Sequence, residues 1–230
     1  MQVFNLSPLN YALVLPFIFL AGLIDSIAGG GGLISLPAYW SVGIPPHLAL
    51  GTNKFSSCCG TVFSTANYFK AKMIDLPVAL LSAFMALIGS WIGASTALKV
   101  SAQVLNYLLI ILIPAVAVFS VLNRNIGMQS NAHRIAKKTR LFVGAIAGLG
   151  IGFYDGFFGP GTGTFLILIY ASALHYDFVT ANGNTKVVNL ASNIAALSLL
   201  LSPPTSIIRL PFQVPFVELP EILLVPNWLF

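Results

Sequence analysis

The stretch Gly22-Leu-Ile-Asp25-Ser-Ile-Ala-Gly29-Gly-Gly-Gly32 is echoed, 130 residues on, by Gly152-Phe-Tyr-Asp155-Gly-Phe-Phe-Gly159-Pro-Gly161-Thr-Gly163. In each copy a carboxylate is followed at four and six positions by glycine: Gly29 and Gly31 after Asp25, Gly159 and Gly161 after Asp155. Each copy then leads into Ala-x-Gly-x-x-Lys, as Ala49, Gly51, Lys54 and as Ala181, Gly183, Lys186. The four charges sit in or beside runs too apolar for a soluble surface. Four consecutive glycines cannot hold a regular helix, because each costs ~1 kcal/mol against alanine. Irregular backbone at membrane depth must be buried in protein or face water. The chain is therefore expected to carry two glycine-broken or re-entrant segments, one in each of two repeated units.

Composition fixes the solvent. Of 230 residues, 57% are hydrophobic and 7% charged, against roughly 25% charged in soluble domains. The runs Leu9 to Ile24, Leu76 to Leu98 and Ala102 to Leu122 approach the ~20 residues that cross a hydrocarbon core as helix. The fold class is an all-α polytopic membrane protein. The first ten residues hold no Lys or Arg, so the first run lacks a signal peptide's basic start and is expected to stay as a membrane helix.

The formal charge of +5 does not point to nucleic acid. Arg124, Arg134, Lys137, Lys138 and Arg140 share one acid-free segment between apolar runs, the bias of a cytoplasmic loop. Lys70 and Lys72 fall on the same side. No aromatic platform or nucleic-acid module accompanies them. Cys58 and Cys59 are adjacent and cannot staple distant segments, and His47, His133 and His175 lack clustered metal-ligand partners. No cofactor is called for.

These signals divide the chain into a first repeat over 1–123, a basic cytoplasmic loop over 124–140, a second repeat over 141–201 and a proline-rich tail over 202–230. In the first repeat, Asp25 and the glycines interrupt the opening helix, which resumes at Leu33 to Trp40 and is followed by a polar-faced helix over Leu48 to Phe69. In the second, the apolar run ends at Tyr154, Asp155 and the glycines follow, and Thr164 to Leu174 and Ala181 to Leu201 repeat the plan. Whether the repeats are parallel or inverted is open. The tail carries Pro203, Pro204, Pro211, Pro215, Pro220 and Pro226, which break helices, so the second unit is expected to be incomplete.

An ionised side chain at the centre of a membrane helix costs ~2.5–3.5 kcal/mol, so four need a reason. In one reading Asp25 pairs with Lys54 and Asp155 with Lys186, fixing helix packing. In the other, Lys54 and Lys186 attract an anion, and Asp25 and Asp155 accept a proton or hold the lysines. Gly29, Gly31, Gly159 and Gly161 would let a ligand approach backbone N–H groups at helix N-termini; alternatively they only permit close packing. Asn53, Asn184 and Asn189 add amides for an oxyanion or for bridging helices. The glycine runs lack the Gly-Lys-Ser/Thr of a nucleotide loop, so energy would come from a gradient. No metal or serine-hydrolase motif supports an intramembrane enzyme.

The two glycine motifs, with Gly51-Thr-Asn-Lys54, strongly resemble the sulfite exporter TauE/SafE family, also called the toluene sulfonate uptake permease family. The likeness covers about residues 10 to 200, and Asp25, Lys54, Asp155 and Lys186 match motif positions. It implies a multi-pass plasma-membrane transporter, usually bacterial, of seven to nine helices in duplicated units, moving sulfite, sulfonates or related small anions. After about Leu200 the family's pattern is not recognisable, as in a truncated or frameshifted gene. A non-transporting structural or degenerate membrane protein is the alternative expectation.

Overall fold

The computed structural model describes residues 7–122 and 132–201. The tail expected over 202–230, and with it the completeness of the second unit, lies outside them, as does Arg124. The described residues are helical: α1 (Pro8–Ala28), α2 (Gly32–Ser41), α3 (Pro46–Lys70), α4 (Leu76–Ala97), α5 (Ala102–Leu122), a 3-10 turn (Ala132–Arg134), α6 (Lys137–Phe157), α7 (Thr162–Ala173) and α8 (Phe178–Leu201). Helices α1 and α4 and the stretch Ala102–Phe119 are long and apolar enough to cross a bilayer. Leu13, Phe17, Leu80, Phe84, Trp91 and Ile111 stand exposed around the outside, a surface that suits lipid rather than water. The protein is an all-α membrane protein.

Both breaks fall at the glycines, one turn later than the carboxylates. Asp25 and Asp155, expected to interrupt their helices, instead lie inside the last turns of α1 and α6. Chain direction changes where φ turns positive, at Gly29 (71°) and Gly30 (88°), and again at Gly159 (95°) and Gly161 (79°), conformations that side chains disfavour. A carboxylate by itself does not end a helix. Lys137, Lys138 and Arg140, placed in the basic loop by sequence, form the start of α6.

Each short helix folds back along its predecessor. Leu36 and Tyr39 of α2 share a core with Val14 and Ile18 of α1, and the Phe165 ring of α7 lies 5.5 Å from that of Tyr154 on α6. The two hairpins open to opposite ends of the bundle. At one end, Asp75 before α4 accepts from Arg140 at the start of α6 and, at 2.6 Å, from the Tyr176 hydroxyl beyond α7. Burial pushes the Tyr176 phenol up, so it remains a donor there. Lys70 and Lys72 share this basic end. At the other end, His47 in the first turn of α3 meets the Val100 carbonyl before α5 at 3.1 Å, and Tyr11, Trp40 and Val42 join the same cluster. The first hairpin thus opens away from the basic end and the second toward it. Helix α3 runs toward the basic end and α8 runs away from it. The repeats are inverted, the arrangement in which transporters place a site at mid-membrane between two broken helices.

Helices α4 and α6 run parallel in unusually close contact. A Cβ on Gly148, Gly152 or Gly156 would lie 2.2, 2.6 or 2.1 Å from backbone atoms of Ser82, Ala86 and Ser90 respectively. Each step is four residues on both helices, which keeps the seam on one face of each. Small residues at this spacing are how membrane helices gain van der Waals contact where no hydrophobic effect drives them together.

Candidate site at the meeting of the two breaks

The two breaks touch: a Cβ on Gly29 would lie 2.7 Å from the Gly163 carbonyl carbon. Around that contact the charges pair across the repeats. Lys54 Nζ on α3 lies 2.6 Å from Asp155 Oδ1 on α6, and their side chains are 4% and 6% exposed. Lys186 Nζ on α8 lies 2.7 Å from Asp25 Oδ2 on α1, with 0% and 16% exposure. The within-repeat pairs that sequence spacing suggested are therefore replaced by crossed ones. With inverted repeats, each polar helix lies against the other unit's break, which brings its lysine to the partner's carboxylate.

The two aspartates are held differently. Asp25 Oδ1 accepts the Gly31 N–H at 2.9 Å, so it caps the N-terminus of α2 with a negative group. Its backbone carbonyl also accepts from Lys186, and the neighbouring Ile27 carbonyl accepts from Asn182 Nδ2 at 2.9 Å. Two α8 side chains thus reach the buried end of α1. Asn182 serves the Ile27 carbonyl, one of the helix-end carbonyls that the helix itself leaves open, and Lys186 adds a second donor to the Asp25 carbonyl, which also accepts the Gly29 N–H. Asp155 caps nothing. Its second oxygen accepts from the Ser192 hydroxyl on α8, and the Ser90 hydroxyl on α4 donates to the Ser192 carbonyl at 2.6 Å.

A polar cavity of about 20 Å³ lies between the breaks, room for about one water molecule. Asp25, Asn53, Lys54, Asp155, Gly159, Gly161 and Asn189 are on its wall. The α7 N-terminus also faces it through Thr162 and Gly163, and its N-cap residue Gly161 supplies no side-chain acceptor. Among the described residues, that N-terminus, unlike the α2 end capped by Asp25, has no carboxylate bonded to it. Asn189 is 7% exposed and its Oδ1 has no partner among the described residues; that oxygen accepts, so it would take a donor from a ligand or water, and only the Nδ2 of the amide could serve an anion. One ammonium, the N–H dipoles of α7 and several amides share this wall with the two carboxylates. Lys54 also lines a second small cavity with His47, Ala97 and Leu98, toward the end opposite the basic one.

Comparison with known proteins agrees with this architecture. The family described as sulfite exporter TauE/SafE matches residues 14–226. The chain belongs to the sulfite exporter TauE/SafE family. The family's match runs past Leu200, beyond which its pattern is not recognisable by eye in the sequence. The chain is 36% identical over 200 residues to the probable membrane transporter protein YfcA of Escherichia coli K12, covering 87% of this chain and 73% of that one. It is 38% identical over 183 residues to the probable membrane transporter protein ORF9 of Sinorhizobium sp, covering 80% and 69%. It is 30% identical over 104 residues to Sulfite exporter TauE/SafE family protein 3 of Arabidopsis thaliana, covering 45% and 22%. No solved structure matches. This TauE/SafE chain is a membrane transporter.

Within the TauE/SafE fold the residues singled out from sequence do not all reach one place. Lys54, Asp25, Asp155, Asn53, Asn189, Gly159 and Gly161 line the cavity. Lys186 is sealed behind Asp25, Gly29 packs on Gly163, and Gly31 spends its N–H on Asp25. Asn184 is fully buried with its Nδ2 on the Thr180 carbonyl, 2.7 Å away, outside the cavity wall. Sequence reasoning missed Ser57, Thr61 and Thr162 on the wall, and Ser192 behind Asp155. A signal existed for two of them. Ser57 and Thr61 follow Lys54 by three and seven residues, as Asn189 and Asn193 follow Lys186, and that spacing keeps all of them on the lysine's face of the helix.

Proposed function

We propose that the protein is a secondary transporter of a small sulfur oxyanion, sulfite or a sulfonate, in the bacterial inner membrane. The observation that carries this reading is the buried, cavity-lining Lys54, held by a single carboxylate beside the uncapped N-terminus of α7. A cation so placed is expensive in a bilayer unless it binds something, and the family's name supplies the class of substrate. The basic end, with Lys70, Lys72, Lys137 and Lys138, faces the cytoplasm. The cavity in this geometry is smaller than any sulfur oxyanion, so the ligand enters as Lys54 and Asp155 separate and the inverted hairpins rock about their contact.

The test is uptake of radiolabelled sulfite into proteoliposomes. Lys54→Ala removes a charge-assisted hydrogen bond of about 3 kcal/mol at its upper end, so uptake should fall about 100-fold. Lys99→Ala, an exposed lysine at the far end of α4, should transport as the native protein does. Undiminished uptake in both Lys54→Ala and Lys186→Ala would remove the anion-site argument.

A further inference from the structure

Two pairs related by the repeat have unequal surroundings, and the difference concerns which can open. Lys186 is fully buried and donates to two oxygens of Asp25, and Asp25 Oδ1 is engaged by the Gly31 N–H. A backbone N–H only donates, so that oxygen is served only as an acceptor. Opening this pair would also remove the Lys186 donor from the Asp25 carbonyl near the buried end of α1. Lys54 has one hydrogen-bonding acceptor among the described residues, Asp155 Oδ1, and faces the cavity.

Asp155 Oδ2 meets a group that can reverse. The Ser192 hydroxyl lies within hydrogen-bond reach of both Asp155 Oδ2 and the Asn189 carbonyl, the latter at 3.0 Å. A hydroxyl has one proton and can also accept. With Asp155 ionised, Ser192 donates to it. With Asp155 protonated, Ser192 turns its proton to the Asn189 carbonyl and accepts from the carboxylic acid.

We propose that Lys186–Asp25 is a fixed strut and Lys54–Asp155 an exchangeable pair, in which an incoming monovalent anion takes the place of Asp155 on Lys54 while Asp155 takes up one proton. This rests on the anion-transport reading above. The charge balance requires it: the empty site holds Lys54⁺ and Asp155⁻, the loaded site Lys54⁺, the anion and a neutral Asp155. Both are net neutral, whereas loading without the proton buries an unbalanced negative charge, which a low-dielectric site opposes. Among the described residues, the groups facing Asp155 offer no second unpaired cation to balance the charge. Helix α3 presents Lys54; α8 presents Ser192 and Asn189, its Lys186 being held by Asp25; α1 presents Asp25 across the cavity; α4 presents Ser90 and α7 Thr162. On α6 itself, Tyr154 donates its hydroxyl to the Pro160 carbonyl. Transport is therefore electroneutral, with one proton accompanying each monovalent anion, and Ser192 is a positioning residue for the proton.

Methanesulfonate is the probe, because it stays a monoanion at all working pH values and carries no proton of its own. Proteoliposomes holding a luminal pH dye, with potassium and valinomycin to set the potential, should acidify by one proton per methanesulfonate taken up. Uptake should rise with an inward proton gradient and ignore an imposed potential. Ser192→Ala should shift the pH dependence of uptake, and Ser192→Thr should restore it. Uptake without acidification, or uptake that tracks the potential, overturns the coupling and leaves the transport reading standing. No methanesulfonate uptake overturns it as well; if sulfite uptake is also absent, the transport reading falls with it. An unaltered pH profile in Ser192→Ala removes the hydroxyl from the scheme.

Discussion

Replacing Lys186 with methionine should destabilise the protein by about 3–5 kcal/mol, the usual result of removing one partner of a buried ion pair. The Lys186 side chain is 0% exposed, so its replacement takes from the Asp25 carboxylate the cation it pairs with inside the protein, while the Gly31 N–H stays on Oδ1. The Asp25 carbonyl near the end of α1 also loses one of its two donors, keeping the Gly29 N–H. Methionine fills the space that alanine would leave empty, so the loss reports charge rather than a cavity. Unfolding in mixed micelles would read it. A loss below about 1 kcal/mol would mean that Lys186 is held by something other than this pair.

A comparable effect is expected from a single methyl group at the contact between the breaks. Gly29 has φ 71° and ψ 171°, a region essentially reserved to glycine in which another residue is strained by about 1–3 kcal/mol. Its new Cβ would also lie 2.7 Å from the Gly163 carbonyl carbon and 2.9 Å from the Thr164 nitrogen. These are backbone atoms that cannot rotate away, and overpacking of this kind costs about 1–3 kcal/mol more. Gly29→Ala should therefore lose about 2–6 kcal/mol in total, and folded yield in the membrane should collapse. Gly150→Ala is the matched control: nothing lies within 4 Å of its added Cβ, and in mid-helix alanine is favoured by up to ~1 kcal/mol. Equal behaviour of the two variants would show that the breaks do not touch.

Much of this fold was legible before any coordinates. Apolar run length located the membrane helices, and the spacing of Asp25, Gly29 and Gly31, repeated at Asp155, Gly159 and Gly161, located both breaks. What hydropathy cannot show is whether a short helix after a break continues onward or returns. Helices α2 and α7 have 10 and 12 residues, too few to cross alone and enough to go either way, so the inverted relation of the repeats stayed hidden. The pairing was hidden for a related reason. Two similar Asp-to-Lys spacings, 29 and 31 residues, are satisfied equally well by pairs within a repeat or between repeats, and only the antiparallel setting of α3 and α8 decides. Asn184 misled because an amide near a lysine looks like a ligand from sequence alone. One turn of helix phase carries it instead to its own Thr180 carbonyl.

The central claim is that the charges pair across the repeats around one cavity. Double-mutant cycles of unfolding free energy, with each lysine changed to methionine and each aspartate to asparagine, measure it pair by pair. The structure requires coupling of about 2 kcal/mol or more for Lys54 with Asp155 and for Lys186 with Asp25, and clearly smaller values for Lys54 with Asp25 and Lys186 with Asp155. Larger coupling within each repeat than between them would contradict the account.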